Sequence, residues 1–329
     1  MLNPDLKLNP KIFDTDVEKD STRVGYGEGL VELGKEDPNV VAMSADLTES
    51  TKADKFAKAY PERFIQVGVA EQNMAAVAAG LGVSGKTVFI SSYATFSPGK
   101  NWETIRTTIV YNNSNVKVAG HHAGIMTGPD GATHQATEDI ASVRPWPEIK
   151  IIVPCDSIQG KSATVASGKE YGPFYLRFSR DKSPIMTTPE TPFELGKAQT
   201  FWITENPQAV IFSFGYMTYY ALVAAKRLSE EGINTLVTNI HTVKPLDTET
   251  IINQVKETGA VVTAEDHQIA GGLGGAIAEA LAMNHPAPME FVGMRDVFGE
   301  SGNPEELLKK YEMDSDAIYN SVKKVISRK

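Results

Sequence analysis

Glu71 stands where an apolar run, RFIQVGV, gives way to a second apolar run of helical composition, EQNMAAVAAGLG. A carboxylate in the first turn of a helix has an ordinary explanation, attraction to the positive end of the helix dipole. Its apolar flanks open another: poor hydration raises a carboxyl pKa and yields a group able to share a proton near neutrality. A second concentration of functional groups lies in HHAGIMTGPDGATHQ, where the pair His121–His122 is followed by Asp130 and His134. Glycines 124, 128 and 131 with Pro129 force a tight loop there. Three imidazoles and a carboxylate could ligate a metal, but their spacing matches no compact zinc motif such as HExxH. Donors and acceptors for a polyhydroxylated substrate are the preferred reading, and a solvated structural turn is the alternative. Arg23 and Arg180 stand at element margins, Arg180 in RFSRD directly after a strand run; singly, neither carries an argument.

Two glycine clusters imitate nucleotide loops. AGGLGGAIAEAL fails GxGxxG at Ile277, and GYGEGL fails it at Leu30, so both read as turn or close-packing glycines. GxxxxGK[ST], GxSxG and HExxH do not occur, which leaves nucleotide and hydrolase readings without support. The single cysteine, Cys155 in KIIVPCD, permits no intramolecular disulfide and reads as a buried thiol.

These groups need elements to place them. Short β-rich runs (VVAMSA, RFIQVGV, TVFISS, VKVAGH, KIIVP, FYLRF) alternate with helical stretches, beginning with a helix expected near 17–35. Such alternation predicts an α/β fold with a mostly parallel sheet flanked by helices. DKSPIMTTPETPF, from Asp181 to Phe193, is rich in Pro and Thr and reads as a linker. After it the pattern restarts with AVIFSFG, TYYALVAAKRLSEEG, NTLVTNI, AVVTAED and MEFVGM, a second α/β domain. The expected division is 1–190 and 191–329. Ligands of parallel sheets sit beyond the carboxyl ends of the strands, which directs attention to ADLTEST, GVAEQNM and the histidine loop.

Composition sets outer limits. With 41% hydrophobic and 22% charged residues the sequence is that of a globular protein. No apolar run approaches the ~20 residues of a membrane span, and the N-terminus lacks a signal-peptide plan; with the lone cysteine, a reducing cytoplasm fits. A formal charge of −9 argues against nucleic acid as a partner, though not against small anions held at a locally basic site.

Taken in order, ADL near 45, GVAEQNM, YATF, DGATHQ and FSRD resemble the pyrimidine-binding domain of transketolases. AEDHQIAGGLGGAIAEAL and DVFGESG are similar to that family's C-terminal domain. The resemblance covers essentially the whole chain. It implies two domains, a thiamine-diphosphate-binding pyrimidine domain and a transketolase C-terminal-like domain. It also implies that Glu71 hydrogen-bonds the cofactor's aminopyrimidine nitrogen, favouring the imino tautomer that deprotonates the thiazolium carbon. Phe96 corresponds to an aromatic stacked on the pyrimidine, Tyr93 to a neighbouring aromatic, and Asp46 to the cofactor edge. Arg23, Ser50, His122 and Arg180 would surround the sugar phosphate, with Asp130 and His134 on hydroxyls nearer the reacting carbons. None of these residues is expected to bind metal.

The sequence departs from the family at two points. The place of a third aromatic is held by Gly99, with Trp102 displaced from it. The family anchors the diphosphate through Mg²⁺ on a GDG-to-Asn segment, and no GDG occurs in these residues. The resemblance thus implies a split transketolase: this chain, homodimerised within a heterotetramer, recruits an N-terminal subunit carrying the diphosphate and Mg²⁺ site. Alternatives are a 1-deoxyxylulose-5-phosphate synthase-like enzyme, a 2-oxo acid dehydrogenase decarboxylase β subunit and a non-catalytic assembly paralogue. His122 disfavours the first and the THQ loop the second, while retention of Glu71, Asp130, His134 and Arg180 together disfavours the third.

Overall fold

A computed structural model describes residues 1–329. The first half runs β1 (Lys19–Asp20), α1 (Thr22–Glu36), β2 (Val40–Ser44), α2 (Asp54–Ala59), β3 (Phe64–Gln66), α3 (Glu71–Val83) and β4 (Thr87–Tyr93). It continues with α4 (Trp102–Thr104), β5 (Val116–His121), α5 (Asp139–Val143), β6 (Lys150–Ile152), α6 (Ser157–Lys169), β7 (Phe174–Arg177) and β8 (Ser183–Pro184). The helix expected from residue 17 begins at Thr22, because Lys19–Asp20 pairs instead with Ser183–Pro184. The second half comprises β9 (Gln199–Trp202), β10 (Ala209–Ser213), α7 (Met217–Glu230), β11 (Thr235–Asn239), β12 (Thr242–Lys244) and α8 (Thr248–Thr258). It closes with β13 (Val261–Gln268), α9 (Leu273–Asn284), β14 (Met289–Met294), α10 (Pro304–Lys310) and α11 (Ser315–Ile326).

Beside the two-stranded β1–β8 pair, two large sheets result, as the alternation of runs requires. The larger has the order β12-β6-β7-β5-β4-β2-β3 and the smaller β14-β13-β10-β11-β9. All their pairings are parallel except the edge pairs β12 with β6 and β9 with β11. The central strands are largely apolar because both faces are covered: every residue of β2, β5, β10 and β11 is buried. The buried Lys117 of β5 donates to Asn115 Oδ1 and to the Glu170 and Gly172 carbonyls.

The chain crosses the expected division twice. Leu8 and Ile12 lie in the second domain's core with Phe201 and Trp202, a cluster that also takes in Ile125, Met126, Cys155 and Met186 of the first half. Conversely, β12 leaves the second half to edge the first sheet through Thr242 and Lys244.

Register places the chemistry. Ser44 lies level with Gln66 and Ser91, Tyr93 with His121, and Gly120 with Arg177. The segments that follow therefore leave one edge of the sheet together: Asp46 after β2, Glu71 after β3, Tyr93 to Lys100 after β4, His122 after β5 and Arg180 after β7.

Candidate active site

Glu71 is the first residue of α3, and its side chain is 2% exposed. Lys100 Nζ donates to its Oε2 at 2.9 Å. Asn101 Nδ2 donates to the Glu71 carbonyl at 3.0 Å and to Ser97 Oγ at 3.2 Å, so the loop after β4 folds back onto the start of α3. That fold needs Gly99, where a Cβ would fall 2.0 Å from the Thr95 carbonyl oxygen. No aromatic can stand there, and Trp102 packs away from the loop, 5.2 Å from the Trp146 ring and donating Nε1 to the Ser142 carbonyl.

Tyr93, Phe96, His122 and His134 form one aromatic group. Tyr93 stacks on His122 with centroids 3.8 Å apart and on Phe96 at 5.9 Å. His134 meets Tyr93 and Phe96 edge-on at 6.0 and 5.5 Å. Tyr93, Phe96 and His134 are half-buried, leaving ring surface open to a planar ligand.

The cations close another side. Arg23 donates Nη1 to the Ser50 carbonyl at 2.5 Å, Nη2 to the Arg180 carbonyl at 2.6 Å and Nε to Ser21 Oγ at 3.1 Å. Three of the five N–H donors of its guanidinium are thus used for positioning, leaving two for a ligand. Arg180 Nε stands 3.9 Å from Asp130 Oδ2. Burial depresses the Arg23 pKa, and the nearby Arg180 charge depresses it further. His122 is pushed down to about 2, first by burial and then by Arg23, Arg180 and His134. A neutral imidazole between two guanidiniums, with Nδ1 buried and unpartnered, suits a hydrogen bond to an anion that the arginines hold.

The expected residues thus fall into connected groups. Arg23, Ser50, Arg180, Asp130 and His122 share one side, and Tyr93, Phe96 and His134 adjoin it through His122. Glu71 joins through the loop that carries Phe96. Ser50 takes part through its carbonyl, which fixes Arg23. Asp46 is exposed at φ 61° and tied to the Glu71 segment by Gln66, whose Oε1 accepts from the N–H groups of Asp46, Val67 and Gly68. His121 separates from its neighbour, buried against Tyr26 and Phe178, and no three His, Cys, Asp or Glu side chains converge as metal ligands. Lys100, Asn101 and Gln66 had no motif to announce them; they act by contacts that only the folded loops create.

The glycine clusters also find their explanation. A Cβ at Gly25 would fall 1.8 Å from the Ser157 carbonyl oxygen, so that glycine allows α1 to lie on α6. The α9 N-terminus is filled by the chain's own Glu265, which accepts from the N–H groups of Leu273 and Gly274 at 2.7 and 2.8 Å. Burial pushes Glu265 up to about 7. A phosphate has no place there.

Residues 18–185 match the family described as transketolase, pyrimidine binding domain, and residues 197–318 match transketolase, C-terminal domain. The chain belongs to the transketolase family. Among its curated transketolase relatives is a "Putative transketolase C-terminal section" from Methanocaldococcus jannaschii, 44% identical over 90% of this chain and 93% of that one. Another is the "6-deoxy-6-sulfo-D-fructose transketolase subunit SqwH" of a Clostridium species, 36% identical over 96% of this chain and 98% of its own. Among solved transketolase structures, one described as "Split gene transketolase, inactive beta4 tetramer" superposes with a TM-score of 0.87 at 43% identity. That match covers 93% of this chain and 98% of the other.

Proposed function

We propose that this chain is the C-terminal subunit of a two-subunit transketolase, which moves a two-carbon ketol unit from a ketose phosphate to an aldose phosphate. The observation that carries the reading is a buried carboxylate beside a half-buried aromatic group, with two arginines and a neutral histidine on the same sheet edge. The pyrimidine end of thiamine diphosphate fits these residues: Glu71 can hydrogen-bond a ring nitrogen, Phe96 offers a face, and buried Asn101 Oδ1 and Thr95 Oγ1 lack partners. When bound, that cofactor supplies the nucleophilic carbon that accepts and returns the two-carbon unit. Glu71 shares a proton with the ring, while Tyr93 and Asp46 border it. Arg23, Arg180 and His122 grip the sugar's terminal anion. Asp130 and His134 hydrogen-bond its hydroxyls.

The diphosphate and its Mg²⁺ belong, in this reading, to a separate N-terminal subunit, and two copies of each chain complete two sites. Support comes from the relatives whose names denote a C-terminal section and a subunit, and which match this chain over nearly their whole length. The Clostridium relative's name places a sulfonate on its sugar. A rim of two guanidiniums and one imidazole would hold either tetrahedral anion, so both sugar classes belong in the assay.

The test is Glu71→Gln in the enzyme assembled with its diphosphate-site subunit. Exchange of the cofactor's thiazolium proton, followed by NMR, should slow by orders of magnitude while assembly persists. Exchange at the wild-type rate would refute the assignment.

A further inference from the structure

The loop from His122 to Gln135 carries three of the proposed substrate-binding side chains, yet it has no ladder of its own to hold it. Gly124, Gly128 and Gly131 all have positive φ, and the segment forms only short turns. Within the first domain it is held at its base, where the Ala123 N–H donates to the Phe178 carbonyl at 3.1 Å and the Gly124 N–H to the Ala136 carbonyl at 2.7 Å. The contacts along the rest of the loop come from the second domain. Asp266, near the end of β13, accepts the Ile125 N–H through Oδ1 at 2.9 Å. The contact is so close that a Cβ on Gly124 would fall 1.6 Å from Asp266 Oδ2. At the other end of the loop, Gln135 Nε2 donates to the Glu300 carbonyl at 2.9 Å and lies 3.3 Å from that of Gly128. Just beyond, the Gln268 N–H donates to the Thr137 carbonyl at 2.6 Å. Between these ends, Ser301 closes over Gly131 and Pro304 over Gly128.

We propose that the second domain is the frame that sets the substrate loop, and that Asp266 is a positioning residue acting on His122, Asp130 and His134 through the Ile125 N–H. The kinetic half of this proposal rests on the function given above. A loop fixed at Gly124–Ile125 and at Gln135–Thr137 presents its three side chains in one geometry, and a small displacement of such groups weakens every contact they make to a bound sugar. Interdomain adhesion alone would not require the contacts to gather on this loop. Arg144, which donates to Glu279 and to the Gly271 carbonyl, provides an interdomain contact away from it.

The experiment compares Asp266→Ala, Asp266→Asn, Gln135→Ala and Arg144→Ala in the full chain, by amide hydrogen exchange and then by ketol transfer after assembly with the partner subunit. In Asp266→Ala the amides of 124–135 should exchange about tenfold faster or more, with the β2, β4 and β5 amides unchanged. The donor KM should rise about tenfold, with kcat changing less, as expected when binding geometry and not chemistry is lost. Asp266→Asn keeps an acceptor for Ile125 and should restore most of both. Gln135→Ala should loosen the loop's far end, providing a second route to the same result if Asp266→Ala does not fold. Arg144→Ala should leave the loop's exchange and the KM as they were. Unaltered loop exchange in Asp266→Ala or Gln135→Ala would overturn the frame, whatever the activity. Faster loop exchange with an unchanged KM would overturn the positioning role. Faster loop exchange in Asp266→Ala and Gln135→Ala, together with a wild-type assembly unable to transfer ketol units, would instead count against the proposed function and leave the frame standing.

Discussion

Arg177, the last residue of β7, should be the most costly polar side chain to remove from the junction of the two domains. Its Nε donates to Asp139 Oδ2 at 2.8 Å, and its Nη2 donates to the Ala136 and Asp266 carbonyls at 3.1 and 2.7 Å. Tyr175 adds a 2.5 Å hydrogen bond to the same Asp139 oxygen. Both charged side chains are almost wholly enclosed, 4% and 2% exposed. Arg177→Met strands a buried carboxylate, which costs about 3–5 kcal/mol for a broken buried pair. Two carbonyls lose a donor as well, each worth about 1 kcal/mol. A loss of at least about 4 kcal/mol is therefore expected, against a total stability of about 5–15 kcal/mol. Urea titration of the chain by tryptophan fluorescence and circular dichroism would measure it. Arg177→Met with Asp139→Leu should be more stable than the sum of the two single losses implies, because the stranded charge is gone. A single loss below about 1 kcal/mol, or strict additivity, would refute this account of the junction.

Arg180→Ala should raise the KM for phosphorylated donors by about 10- to 100-fold, the equivalent of one charge-assisted contact to phosphate. Asp130→Ala should instead alter the ratio of kcat/KM between donors of different hydroxyl configuration, and equal losses for all donors would count against its role. Stability should fall with acid from pH 6.5 toward 4. His241 and His267 are pushed down to about 4 and His122 to about 2, all by burial first, and burial holds His121 well below its ordinary value. Below pH 6.5 the unfolded chain takes up protons that these sites refuse, at about 1.4 kcal/mol per pH unit for each group. Glu265 acts in the opposite sense, its contribution complete below its ordinary 4.5 and lost as pH rises to about 7. Burial raises Asp156 and Asp266 as well, and they act in the same sense as Glu265. Four histidines against three carboxyls still give a falling melting temperature as pH drops from 6.5 to 5, and a flat or rising profile would contradict these assignments.

Much of the architecture was legible because parallel strands covered on both faces write themselves as apolar runs, as VVAMSA and AVIFSFG do. The carboxyl-edge rule then points to ADLTEST and to the loops that carry Glu71 and His122, whereas Tyr93 and Arg180 gain roles only from the family resemblance. Contacts between distant segments could not be read this way. Lys100 meets Glu71 across 29 positions and Asp266 meets Ile125 across 141, and neither pair has a local pattern. The expected division counts the N-terminal segment with the first domain, whereas Leu8 and Ile12 pack in one cluster with Phe201 and Trp202 of the second. Ser50, which the resemblance places beside the sugar phosphate, contributes its carbonyl to Arg23, a main-chain contact that no residue type announces.

In the proposed function, the residues assigned to the pyrimidine and the sugar work only with a diphosphate-binding partner. The direct measurement is ketol transfer by the purified chain with thiamine diphosphate and Mg²⁺, before and after addition of a chain bearing a GDG-to-Asn segment, with calorimetry of cofactor binding in both states. The account predicts no turnover and weak cofactor binding by this chain alone, and turnover with tight binding once the partner is present. Full turnover and tight binding by this chain alone would contradict it.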